Sequence, residues 1–199
     1  MSAIRFIVGL GNPGPRYKQT RHNVGAWFVS YLADRFKLTF IEKLKFKGRI
    51  ARGNILGHDT WLALPSTFMN LSGECVGSLA SFYRIPPEQI LVVHDEMAFS
   101  VGQVRLKFGG GVNGHNGLKS VVKSLENKNN FYRLRVGVGH PGEKDLVTDY
   151  LTLDNMTSDE RDSVEKTLSF PDDLVDHLLS GNVERVMNTL HGLGDDDGI

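Results

Sequence analysis

Hydrophobic positions along this chain switch repeatedly between short continuous runs and helical spacing. Ile4 to Leu10 is apolar and β-rich, and Gly11-Asn12-Pro13-Gly14 ends it with turn residues. Val24, Trp27, Phe28, Tyr31 and Leu32 then fall at i, i+3, i+4, i+7 and i+8, which predicts an amphipathic helix with Asn23 as its N-cap. Lys45–Ile55 and Thr60–Leu64 read as two strands joined around Leu56-Gly57-His58-Asp59. Val76, Leu79, Ala80 and Tyr83 mark a second helix, stopped by Pro86-Pro87. The unbroken run Ile90-Leu91-Val92-Val93 is the pattern of a strand buried on both faces. A strand over Val101–Phe108, a glycine-rich loop over Gly109–Gly117, a helix from about Leu118 to Leu125 and a strand over Tyr132–Val138 follow. Two or three short helices are expected within 157–190. Strands alternating with helices predict one α/β domain over 1–199, with a central mixed β-sheet flanked by helices. The acidic end, from about residue 193, is expected to be disordered.

Composition adds location rather than fold. The chain has 199 residues, 40% hydrophobic and 23% charged, as a soluble globular protein has. No apolar run approaches the ~20 residues that cross a bilayer. The N-terminus shows no secretion signal, and Cys75, the single cysteine, lies in a helical pattern as packing. These features predict a cytoplasmic protein, and no coiled-coil stripe demands a partner, so a monomer is expected.

Net charge is zero, but its distribution is uneven. Residues 1–60 carry 11 Lys/Arg against 3 Asp/Glu, and 101–142 carry 7 against 1. Residues 143–199 carry 4 against 15. A basic body joined to an acidic end can present a phosphate-binding face, or it can be chance segregation of solvated surface.

Gly9-Leu10-Gly11-Asn12-Pro13-Gly14 formally matches the dinucleotide fingerprint G-x-G-x-x-G. That motif works only if a helix starts inside it and offers its amides to a pyrophosphate. Pro13 and Pro15 flank the last glycine, and Arg16–Arg21 has no helical period. A ribose-binding carboxylate is missing too. The loop is better read as a rigid holder for Asn12 at a strand's carboxyl end, and no cofactor is expected.

His22 sits between Thr20-Arg21 and the start of the first helix, on a loop fixed by ordered elements. Asp95 ends the buried run, where α/β proteins place their sites. Asn12 and Asn70 also follow strands. If those strands run parallel, these side chains gather at one edge of the sheet. A neutral imidazole, a carboxylate and amides suit hydrolysis by activated water. No G-x-S-x-G supplies a nucleophile, and no H-E-x-x-H or Cys/His spacing supplies a metal site. Spacing alone leaves the substrate open.

Five segments together resemble the bacterial peptidyl-tRNA hydrolase family. They are Val8–Gly14 with Tyr17 and Thr20–Asn23, Thr67–Gly73, His94-Asp95-Glu96, Gly114–Lys119, and Arg133–Pro141. The resemblance implies hydrolysis of the ester between a peptide's carboxyl end and the terminal ribose of tRNA. It implies His22 as the base, Asp95 as its partner, and Asn12 as the group that tells a blocked peptidyl ester from a free aminoacyl ester. It further implies that Asn70 and Asn116 contact the peptide and 3′ end or steady the water, and that Tyr17 and Phe68 line the cleft. Lys107 and Arg135 match basic positions suited to acceptor-stem phosphates. The chain departs from the family pattern at Val112-Asn113, where a His-Gly pair is commoner, at Ala98, and in its acidic end. A non-catalytic RNA-binding protein on the same fold is the rival reading.

Overall fold

The computed structural model describes residues 2–192. The expected acidic tail lies outside the described residues. Seven strands form one sheet: β1 (Phe6–Gly9), β2 (Ile41–Lys43), β3 (Gly48–Ile55), β4 (His58–Pro65), β5 (Ile90–Glu96), β6 (Val104–Phe108) and β7 (Tyr132–Gly137). Their spatial order is β2-β3-β4-β1-β5-β7-β6. The middle four, β4, β1, β5 and β7, are mutually parallel, and β2, β3 and β6 join antiparallel at the edges. The sheet is mixed, in an α/β fold.

Seven α-helices accompany it among the described residues: α1 (Val24–Arg35), α2 (Ser72–Phe82), α3 (Asn116–Ser124), α4 (Val147–Thr152), α5 (Ser158–Leu168), α6 (Asp172–Ser180) and α7 (Val183–Gly192). The side-chain period of two sorts the central strands between two cores. Ile7, Leu91 and Val93 join α1, α5, α6 and α7 in one cluster. Phe6, Val8, Ile90 and Val92 join α2 and α3 in the other. A strand buried on both faces needs an unbroken apolar run, and Ile90–Val93 provides it.

Some expected boundaries move. The strand expected from Lys45 begins at Gly48, because Leu44–Phe46 form a 3-10 turn and Lys47 takes a left-handed conformation. The strand expected from Val101 begins at Val104, after a turn at Gly102. Helix α3 starts at Asn116 rather than near Leu118.

Two glycines set how closely α1 approaches the sheet. A Cβ on Gly25 would lie 2.2 Å from the carbonyl oxygen of Val93, and one on Gly9 would lie 2.4 Å from that of Gly25. Helix α1 therefore rests directly on the backbone of β1 and β5, and the turn before it is carried to the end of β5.

Candidate active site

Because β4, β1, β5 and β7 are parallel, the loops after β4 and β1 and the end of β5 open at one edge of the sheet. Asn12 follows β1, Met69 and Asn70 follow β4, and Asp95 is the penultimate residue of β5. Asn12 Oδ1 accepts the Met69 backbone N–H at 2.8 Å, which ties the first two loops together. With Oδ1 engaged, the amide nitrogen of Asn12 is the end left for other partners. Asn23 was expected to cap α1. Its side chain caps nothing; it brackets Asn12 instead, accepting from the Asn12 N–H at 2.9 Å and donating to the Asn12 carbonyl at 2.9 Å.

His22 lies in the 3-10 turn Arg21–Asn23 that leads into α1. Its Nδ1 is 2.8 Å from Oδ1 of Asp95. An ionised carboxylate only accepts, so Nδ1 carries the proton and Nε2 keeps the lone pair. His115 reaches the same Oδ1 through Nε2 at 2.9 Å, while its Nδ1 accepts the Leu118 N–H at 3.3 Å as the N-cap of α3. Asp95 is 3% exposed and thus receives two imidazole donors on one oxygen. Sequence reasoning placed His115 only within a motif. Its partnership with Asp95 depends on β5 and α3 meeting, and the signal for it was a histidine at the residue before the true helix start.

Electrostatics follow from this geometry. Burial works against charge on His22, but the Asp95 carboxylate and its hydrogen bond prevail, holding His22 above the ordinary imidazole value. Burial also works against charge on Asp95, yet the two histidines hold it well below the usual carboxylate range. His94, beside it in the chain, points its Nδ1 at the Asp95 carbonyl at 2.8 Å. Burial, then the neighbouring His115, push His94 down to about 3, so it is a neutral packing group. The donor atoms of His22, Asp95 and His115 lie within 4.8 Å of one another, close enough for a metal. Hydrogen bonding already accounts for each of those contacts, with both imidazole protons aimed at the carboxylate.

The triad opens into a cleft of about 530 Å³, whose walls include His22, Asp95, Lys107, Asn116, Arg135 and Val147. Asn116 is exposed there at the first turn of α3, and Lys107 is exposed on β6. Among the described residues Lys107 forms no ion pair. Arg135 differs: its Nε and Nη2 donate to Oε2 of Glu96 at 3.1 and 2.9 Å, so its charge is already matched. Arg133, given no role in the sequence beyond opening the Arg133–Pro141 motif, is buried and donates to the carbonyls of Gly110 and Gly111, fixing the glycine-rich loop. In that loop Asn113 has φ 45°, a left-handed conformation that Asn tolerates and Gly prefers, which explains the departure at this position. Tyr17 and Phe68 meet edge to face, centroids 6.1 Å apart, with Phe68 exposed beside the Asn12–Met69 contact. They and Asn70 do not line the cleft around His22 itself.

The sequence pattern described as peptidyl-tRNA hydrolase matches residues 6–197. The chain belongs to the peptidyl-tRNA hydrolase family. A peptidyl-tRNA hydrolase of Haemophilus influenzae (strain 86-028NP) is 50% identical over 191 residues, 96% of this chain and 98% of that one. One from Histophilus somni (strain 129Pt) is 48% identical over the same coverage. The crystal structure of peptidyl-tRNA hydrolase from Acinetobacter baumannii superposes with a TM-score of 0.91 at 46% identity, covering 96% of this chain and 95% of that one. The loop from Gly9 to Gly14 leads into the 3-10 turn Pro15–Tyr17, and α1 begins only at Val24, so no α-helix starts inside the G-x-G-x-x-G match. Cys75, expected as packing, is buried among apolar side chains, and burial pushes its thiol up to about 12.

Proposed function

We propose that this chain hydrolyses peptidyl-tRNA, with His22 as general base on a water molecule. The neutral Nε2 takes a proton from water, and the water oxygen attacks the ester carbonyl carbon. Charge collects on the former carbonyl oxygen, for which the side-chain amide of Asn116 on the cleft wall is the available donor, while Asn70, outside that wall, is left to contact the peptide. As the tetrahedral intermediate collapses, His22 returns the proton to the departing ribose oxygen, leaving a free tRNA 3′ hydroxyl and a peptide carboxylic acid that loses its proton to solvent. Asp95 stays ionised, holds the productive tautomer and offsets the imidazolium charge. His115 holds Asp95 from the other side.

One observation carries this reading: a buried carboxylate fixes the imidazole of His22 at a cleft that also presents Asn116 and Lys107. A protein that only binds RNA has no use for such a pair. The free amide nitrogen of Asn12 suits a peptide carbonyl and repels a free ammonium group. Phe68 and Tyr17 offer faces on which an unpaired 3′ base can stack. Lys107 serves phosphates without regard to sequence, as an enzyme accepting many tRNAs requires, with Arg135 as a second contact held in check by Glu96. We assign the whole chain to one domain, acting as a cytoplasmic monomer; no described helix is long and apolar enough to cross a membrane.

The test is release of N-acetyl-amino acid from N-acetyl-aminoacyl-tRNA by purified protein. Turnover by the wild type and its near loss in His22→Ala, with tRNA binding retained, are the expected results. An inactive wild type, or full activity in His22→Ala, overturns the reading.

A further inference from the structure

The residue before the base, Arg21, is buried in a place where arginine is costly. Its side chain is 7% exposed. Nη2 donates to both carboxylate oxygens of Glu160, at 3.0 and 2.8 Å, and Glu160 stands in the first turn of α5. Nη1 reaches the carbonyls of Tyr150 in α4 and Asp154 just beyond it, at 3.4 and 3.5 Å. The guanidinium carbon lies 3.9 Å from the centre of the Tyr150 ring. One side chain thus gathers α4, the turn after it and α5 onto the loop of His22.

Other contacts run along the same seam. Thr20 pairs with Asn155 in an isolated bridge, and the Met156 N–H donates to the Gln19 carbonyl at 3.2 Å. The Tyr150 hydroxyl donates to the Val138 carbonyl at 2.6 Å, just past the end of β7. Helix α4 is itself a wall of the catalytic cleft, through Val147, Thr148, Leu151 and Thr152. The base and the wall facing it are therefore fastened to a common point. A buried ion pair is a weak source of net stability, because desolvation consumes most of its attraction, whereas its geometry is demanding. Arginine's planar array of donors meets four acceptor atoms on three residues at once, more than the three N–H groups of a lysine can serve.

We propose that Arg21 is a positioning residue for the hydrolysis reaction: held by Glu160 and Tyr150, it sets where His22 stands relative to Asp95 and to the α4 wall of the cleft. This rests on the function proposed above for the same site. Arg21 touches no reacting atom and acts only through its neighbour in the chain. Glu160 is thereby a second member of the device, and its other task, accepting the Thr157 N–H in the capping box of α5, would survive an amide in its place.

The experiment compares Arg21→Lys and Glu160→Gln with the wild type. Titration of the His22 ring followed by NMR is read beside kcat on N-acetyl-aminoacyl-tRNA, tRNA affinity and thermal unfolding. A displacement of about 1 Å can cost up to about 10²-fold in rate, so kcat per folded molecule is expected to fall about ten- to hundredfold, with tRNA affinity retained. The His22 midpoint is expected to move to lower pH in both variants as its contact with Asp95 loosens. Lower melting temperature with an unmoved His22 midpoint and full kcat per folded molecule would mean that Arg21 only stabilises the fold, and would overturn the proposal. Should Arg21→Lys fail to fold, the nearly isosteric Glu160→Gln decides by the same readings. An inactive wild type would overturn the function, whereas the NMR titration would still decide the positioning.

Discussion

His22 and His115 meet on a single oxygen, Oδ1 of Asp95, at 2.8 and 2.9 Å. The two imidazoles are not equivalent. His115 spends its other nitrogen on the cap of α3, so only His22 retains a lone pair toward the cleft. The arrangement leaves one imidazole with a free lone pair and fixes the other as a brace.

The base's pH dependence follows in sign. His22 must be neutral to accept a proton, and its folded-state value is raised, so kcat is expected to fall as pH drops through a midpoint above the ordinary 6.5. Asp95→Asn removes the charge that raises it. That variant should lose on the order of 10²–10⁴ in kcat and show its acidic limb at lower pH. A pH–rate profile with the limb unmoved would falsify the assignment of Asp95.

Discrimination between blocked and free esters is expected to reside in the free end of Asn12. Its Oδ1 is committed to Met69, which leaves a donor facing outward. Asn12→Asp replaces that donor with an anionic acceptor. Hydrolysis of N-acetyl-aminoacyl-tRNA should drop, and hydrolysis of the free aminoacyl ester should rise relative to it. Parallel assays with the two substrates check this; an unchanged ratio counts against the role.

Salt separates the two phosphate candidates. Lys107 is unpaired among the described residues, so Lys107→Ala should reduce the slope of log affinity against log salt by about one. Arg135 is held by Glu96, so Glu96→Gln should release its charge and tighten tRNA binding. Binding isotherms across a salt series test both; identical slopes in Lys107→Ala and wild type would remove Lys107 from the interface.

His94 makes a prediction about stability. Its folded-state value is lowered to about 3, so between that pH and its ordinary value of 6.5 the unfolded chain binds more protons. Stability from this residue is present above pH 6.5 and drains away as pH falls toward 3. Denaturant unfolding at a series of pH values should show a shallower acid decline in His94→Asn, whatever its stability at pH 7. An equal slope would mean that His94 titrates normally.

The sequence revealed those features whose signal is local. The apolar run Ile90–Val93 needs two covering layers, and the spacing Val24–Leu32 needs a core on one side; both appear as expected. Edge strand β2 was invisible because Ile41, Glu42 and Lys43 are all exposed and form a strand only by pairing with β3. Helix α4 has six residues, too short for a period to show. Within the site, His22 and Asp95 were legible as a loop histidine and a strand-end carboxylate. His115 and Arg21 were not, since their partners lie far off in sequence and meet them only in the fold, and the pairing of Asn23 with Asn12 across the β1–α1 connection leaves no periodic signal.

The contact of Gly25 with Val93 has a consequence for mutational surveys. Gly25 has no functional group and touches nothing that reacts, yet any side chain there pushes α1 off the backbone of β5. The turn bearing His22 leads directly into that helix, while Asp95 stays with the strand. A screen scored by activity would therefore rank an inert glycine beside His22, and only a separate measure of folded protein would tell loss of chemistry from loss of alignment.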